Sequence, residues 1–123
     1  MRNNKPKILI VDDEKSFTKL TRLALTQYEV REVNDPKRVL ETAREFQPDL
    51  ILLDVVMPEF DGGDVAAQLR DDPVLKQIRV VFLTAIVSEK ETDKRSLFGG
   101  YPFIAKPVTA EKLAENIEKY LAA

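Results

Sequence analysis

Residues 49–62 read DLILLDVVMPEFDG, and within them the apolar run Leu50-Ile51-Leu52-Leu53 stops at Asp54. A short unbroken apolar run is the pattern expected of a parallel strand covered on both faces. It recurs in Ile8-Leu9-Ile10-Val11, followed by Asp12-Asp13-Glu14, and in Val80-Val81-Phe82-Leu83, followed by Thr84. Between these runs apolar residues fall at helical spacing: Phe17, Leu20, Ala24 and Tyr28, then Val39, Leu40, Ala43 and Phe46, then Val65, Ala66 and Leu69. Strand and helix therefore alternate.

The punctuation agrees. Asp35-Pro36 supplies an N-cap and a first-turn proline for the second helix, and Pro48-Asp49 separates that helix from the Leu50 strand. Glu29 to Val33 and Phe103-Ile104-Ala105 read as two further strands. Ser88 and Glu91 suit a capping box for a fourth helix over about Glu89 to Phe98. Thr109 caps a last helix that aligns Leu113, Ile117, Tyr120 and Leu121 on one face. Five βα units predict an α/β fold: a single doubly wound five-stranded parallel sheet, order 2-1-3-4-5, with helices on both faces. Residues 1–6 read as a short flexible lead and residues 7–123 as one domain.

Composition narrows the function. The chain has 123 residues, 44% of them hydrophobic, enough for one core. A formal charge of -2, from 19 basic and 21 acidic residues, gives no net attraction to nucleic acid or an anionic membrane. Histidine and cysteine are absent, so there is no imidazole base or ligand, no thiolate site and no disulfide. Chemistry must rest on carboxylates, hydroxyls and lysines. No segment reads as a signal peptide or approaches the ~20 apolar residues of a membrane span, so a cytoplasmic location is expected.

Open α/β sheets bind ligands beyond the carboxyl ends of their strands. There the sequence places Asp12, Asp13 and Glu14, then Asp54, then Thr84, then Lys106. A lone Asp or Thr at a strand end usually caps a helix or makes a turn. Three carboxylates at one edge are different, because they repel and lose solvation, and their clustering calls for a cation or for protonation. Magnesium takes oxygen ligands and suits one or two carboxylates plus phosphate oxygens, so Asp12, Asp13 and Asp54 are the candidate metal residues, with Mn2+ as a substitute. Lys106 can pair with a phosphate oxygen and Thr84 can hydrogen-bond another, which leaves Asp54 as the nucleophile toward phosphorus.

The segments "ILIVDDE", "DLILLDVVMPEFDG", "VVFLTA" and "FIAKP" together resemble the motifs of response regulator receiver domains of two-component signalling, the CheY-like superfamily with a flavodoxin-like fold. The resemblance runs from about Lys7 to Leu121. It implies that Asp54 is the phosphoacceptor, that Asp12, Asp13 and the Val56 backbone carbonyl complete the metal site, and that Thr84, Ala85 and Lys106 contact the phosphate. It implies that Phe103 is the aromatic switch residue and that Lys106-Pro107 is a cis peptide. It also implies a histidine kinase or histidine phosphotransfer protein as donor, a downstream protein target, and a monomer or phosphorylation-dependent dimer. Neither nucleic acid nor a membrane is an expected partner.

Three features depart from the commonest pattern of that family. Gly99-Gly100-Tyr101-Pro102 loosens the approach to the fifth strand, and Phe103 lacks the hydroxyl of a tyrosine. Val56 and Ile86, each two residues beyond a site residue, offer nothing to orient water, so slow self-dephosphorylation is expected. A magnesium phosphatase with an aspartyl-phosphate intermediate is the competing reading; it is disfavoured because Val56 stands where haloacid dehalogenase-like enzymes place a second Asp and because the loops are short. A scaffold without phosphorylation is a further alternative, but it has no need of three crowded acids.

Overall fold

In a computed structural model the described residues are 5–54, 56–57, 60–84, 102–106 and 108–122, with the backbone alone described at 56–57, 60–63 and 84. The elements, in chain order, are β1 (Lys7–Val11), α1 (Lys15–Ala24), β2 (Glu29–Val33), α2 (Val39–Phe46), β3 (Leu50–Leu53), β4 (Val56–Met57), β5 (Phe60–Asp61), α3 (Gly62–Asp71), β6 (Arg79–Thr84), β7 (Phe103–Ala105) and α4 (Ala110–Ala122). Five strands form one sheet in the order β2-β1-β3-β6-β7, every neighbouring pair parallel. This is the expected 2-1-3-4-5 arrangement. The two-residue strands β4 and β5 make a separate antiparallel hairpin after β3. The expected fourth helix over 89–98, its Ser88 and Glu91 box, and Gly99-Gly100-Tyr101 lie outside the described residues.

Successive strand side chains leave opposite faces, so each apolar run feeds two cores. Leu9, Val11, Ile51, Leu53 and Phe82 pack with Val39, Ala43 and Phe46 of α2 and Val65, Ala66 and Leu69 of α3. Ile8, Ile10, Leu50, Leu52, Val81 and Leu83 pack with Leu25 and Tyr28 beyond α1 and with Leu113 and Ile117 of α4. The unbroken runs are thus explained, since no position in β3 faces water.

Helix ends follow local chemistry. The Asp35 side chain accepts from the Lys37 backbone N–H at 3.0 Å, and Pro36 opens a 3-10 turn, Pro36–Arg38, that feeds α2. Gln47 ends α2 in the left-handed region at φ 51°, donating its N–H to the Ala43 carbonyl. Thr109 Oγ1 accepts from the Lys112 N–H at 3.1 Å and caps α4 as expected.

The first helix corrects the sequence reading. Leu20 is 66% and Leu23 54% exposed, Ala24 is exposed and Tyr28 lies past the helix end, while Thr18 and Thr21 are buried. Both hydroxyls find acceptors, Thr18 Oγ1 donating to Glu32 Oε1 with the Lys15 carbonyl also within reach at 3.1 Å, and Thr21 Oγ1 donating to the Phe17 carbonyl. A buried threonine with its hydrogen bond made is tolerated as core.

Tyr28 joins α4 through its hydroxyl, which donates to Glu118 Oε1 at 3.1 Å. Burial, this hydrogen bond and the Glu118 charge push the phenol up from 10.0 to about 12. Below pH 10 the phenol is protonated whether the chain is folded or not, and its contribution is intact. Between pH 10 and 12 the unfolded chain loses the proton first, so stability falls as pH rises. Tyr28→Phe is expected to flatten that part of the fall in a comparison of urea midpoints at pH 9, 10.5 and 11.5; parallel curves would refute it.

Candidate functional site

The parallel register sets the site. Val11 is paired with Val33 and Leu53, Leu53 with Phe82, and Phe82 with Phe103, so β1, β2 and β3 end abreast while β6 and β7 each run two residues further. The next residues on the first three strands are Asn34, Asp12 and Asp54. The ladder continues into them: the Asp12 N–H donates to the Val33 carbonyl at 3.1 Å and the Asp54 N–H to the Val11 carbonyl at 3.0 Å. Both acids are therefore fixed by sheet hydrogen bonds although they lie beyond the apolar runs. Thr84 ends β6 level with Ala105, and Lys106 follows.

Asp12 is 1% and Asp54 7% exposed, while Asp13 faces solvent. Each offers a carboxylate oxygen, and the three oxygens lie within 4.8 Å of one another. Asp12 Oδ1 accepts from the Glu14 backbone N–H at 3.0 Å. Its other oxygen is paired with the Lys106 ammonium, which also lies 3.9 Å from Glu14 Oε1 and 4.4 Å from the centre of the Phe17 ring. The Lys106 ammonium by itself does not balance three carboxylates and Glu14. Oxygen-only donors, two of them deeply buried and converging from two strands, fit a hard divalent cation and give no footing to a soft one.

A hydrogen-bonded chain braces Asp12 from behind. Asn34 Nδ2 donates to the Asp12 backbone carbonyl at 2.8 Å and to Thr18 Oγ1 at 2.9 Å. Thr18 Oγ1 donates to Glu32 Oε1 at 2.8 Å, and Arg22 Nε donates to Glu32 Oε2 at 2.5 Å. Burial alone would favour the protonated form of Glu32, but the hydrogen bonds from Arg22 and Thr18 outweigh it and hold the carboxyl below its ordinary range. The chain runs from the α1 surface to the main chain of a site acid.

Of the residues singled out in the sequence, Asp12, Asp13, Asp54 and Lys106 come together. Phe103, half-buried, packs against the α2 and α3 core, on the opposite side of the sheet from Phe17. Val56 lies in the hairpin strand β4, its backbone paired with Asp61. The Thr84 backbone stands at the end of β6, whereas Ala85, Ile86 and Pro107 lie outside the described residues. Asn34 and Phe17 were not anticipated as site neighbours. Asn34 follows a strand just as Asp12 and Asp54 do, but a neutral amide carries no charge to mark it; Phe17 falls within the apolar spacing of α1.

A model of the response regulator receiver domain family matches residues 8–118. The polar-differentiation response regulator DivK of Brucella anthropi is 33% identical over 116 residues, which are 93% of this chain and 94% of that protein. Among solved structures, the chemotaxis protein CheY4 of Vibrio cholerae is similar with a TM-score of 0.81 at 26% identity, over 94% of this chain and 98% of that one. The signal receiver domain of a signal transduction histidine kinase from Syntrophus aciditrophicus is similar with a TM-score of 0.79 at 32% identity, over 95% of this chain and 90% of that one.

Proposed function

The chain belongs to the response regulator receiver domain family, and from that premise we propose that Asp54 accepts a phosphoryl group and that the protein acts as a phosphorylation-dependent signalling switch. The observation that carries this reading is the meeting of Asp12, Asp13 and Asp54 at one sheet edge with Lys106 beside them. In the reaction a carboxylate oxygen of Asp54 attacks phosphorus as the bond to the donor breaks. Buried and fixed by the sheet, the nucleophile needs little reorganisation to meet the donor.

Asp12, Asp13 and Asp54, with the Val56 carbonyl, would hold Mg2+, or Mn2+ in its place. The ion supplies charge neutralisation at the phosphoryl oxygens. Lys106 exchanges Asp12 for a phosphate oxygen, and Thr84 and Ala85 provide hydrogen-bond donors to the others. Movement of Thr84 toward the phosphate frees space into which the Phe103 ring turns, altering the face read by a downstream protein. A cis Lys106-Pro107 peptide would aim the lysine.

Membership of the family makes the phosphoryl donor a histidine kinase or a histidine phosphotransfer protein, with the donor histidine supplied in trans because this chain has none. The protein is a signalling domain rather than an enzyme with a turnover substrate, and it works in the cytoplasm. No helix among the described residues is long and apolar enough to cross a membrane.

The test uses the whole chain with acetyl phosphate and Mg2+, read by intact mass. One phosphoryl group, dependent on Mg2+ and absent in Asp54→Asn, is the expected result. No uptake, with no binding of Mg2+ or beryllofluoride, overturns the proposal in favour of a scaffold; multiple turnover of a small phosphorylated substrate overturns it in favour of a phosphatase.

A further inference from the structure

Lys106 is held from two sides, and only one of them is a charge. Its side chain is 12% exposed, its ammonium paired with Asp12 and lying 4.4 Å from the centre of the Phe17 ring. That separation is inside the range in which an ammonium is attracted to the negative face of an aromatic ring. The sequence builds the contact. Helix α1 starts at Lys15, so its first turn brings Phe17 against the core that α1 shares with α4, while Lys106 reaches it from the end of β7. Any large apolar side chain at position 17 would fill that core. Only an aromatic one also attracts the ammonium.

On the reading of Asp54 as phosphoacceptor, we propose that Phe17 is a positioning residue for Lys106: its ring keeps the ammonium over the site while Lys106 exchanges the Asp12 carboxylate for a phosphoryl oxygen. The two holding interactions differ in what happens at that moment. The ion pair to Asp12 must loosen, because the same ammonium cannot serve both oxygens at full strength. The ring has no lone pair directed at phosphate and no charge to be neutralised, so its hold on the ammonium survives the exchange. It also limits the volume the four-carbon stem can search, which would otherwise cost rotamer entropy as the phosphate pair forms.

The test compares wild type, Phe17→Leu and Phe17→Tyr as whole chains. In carbon-proton spectra, with the Lys106 signal identified by its loss in Lys106→Arg, the wild-type Hε resonances are expected upfield from ring current. They should move back toward ordinary lysine values in Phe17→Leu and stay upfield in Phe17→Tyr. Phosphorylation by acetyl phosphate at fixed Mg2+ is expected to slow about fivefold in Phe17→Leu, the size of a partly desolvated cation–π contact. It should return to within about twofold of wild type in Phe17→Tyr. Mg2+ affinity, which belongs to the carboxylates, should be the same in all three, whereas a role limited to packing α1 would shift affinity and thermal midpoint along with the rate.

Unshifted Lys106 protons in wild type, or a Phe17→Leu rate equal to wild type, overturn the role of Phe17 while leaving Asp54 as phosphoacceptor. A wild-type chain that takes up no phosphoryl group overturns both.

Discussion

Lys106→Met is expected to lower the unfolding free energy by about 2–4 kcal/mol in the absence of divalent cations, because it strands a buried charge. Asp12 is 1% exposed, and its Oδ2 is the atom that Lys106 faces. Methionine keeps most of the length and the apolar stem of lysine, so packing beside Phe17 is largely preserved and the loss falls on the contacts of the ammonium, the ion pair to Asp12 first and the attraction to the Phe17 ring second. Asp12 then retains the Glu14 N–H and the neighbouring carboxylates of Asp13 and Asp54, which repel it. A divalent cation restores positive charge at the same place, so Mg2+ should return more stability to the variant than it adds to wild type. If Lys106 pairs with the phosphoryl group as proposed, the same change removes that charge, and phosphorylation by acetyl phosphate should slow roughly 10²-fold. Urea titrations with and without Mg2+ give the first result and intact mass over time the second. Equal midpoints for variant and wild type without Mg2+ would show that the pair contributes nothing net.

Leu52→Ala should be as damaging by a different route. Leu52 is fully buried, paired in the sheet with Ile10 on one side and Val81 on the other, in the core shared with α4. Central strands held on both sides cannot collapse onto a void, so the loss is expected at about 3–4 kcal/mol and roughly 10 °C in melting temperature. Leu20→Ala is the matched control: at 66% exposure it should change stability by less than about 0.5 kcal/mol. A large loss at Leu20 would mean that the face of α1 has been assigned wrongly.

Those two leucines also mark where the sequence was legible. Ile8–Val11 in β1, Leu50–Leu53 in β3 and Val80–Leu83 in β6 are buried without a break, so apolar identity alone located these strands and the polar residues that follow the runs, Asp12, Asp54 and Thr84. In α1 the buried stripe contains Thr18 and Thr21, whose hydroxyls find partners in the helix and on Glu32, and hydrophobicity therefore pointed to the wrong face of the same helix. Strands β4 and β5, at two residues each, are too short to carry any periodicity. The turn after α3 is likewise built from hydrogen bonds rather than pattern. Arg44 and the backbone N–H groups of Val74 and Leu75 converge on Asp72 and hold its carboxyl below the usual range.

At the site, Asp12, Asp13, Asp54 and Lys106 were legible because charged residues directly after apolar runs are conspicuous. The support given by Asn34 and Phe17 was not, since an amide and an aromatic ring have ordinary reasons to be where they are. Their contribution depends on which atoms the register brings within reach, and that is a property of the assembled sheet.

The two outer strands of the sheet have a bearing on how crowded a solution this chain can tolerate. An open strand edge invites the edge of another molecule to continue the ladder. Here one edge is β2, which carries Glu29, Arg31 and Glu32 among its five residues, so a second copy paired parallel and in register would set each charge against its like. The other is β7, three residues long and entered through Pro102, which has no N–H to offer. Among the described residues neither edge is a good template for chain-to-chain growth, which leaves encounters between copies to side chains rather than to main-chain pairing.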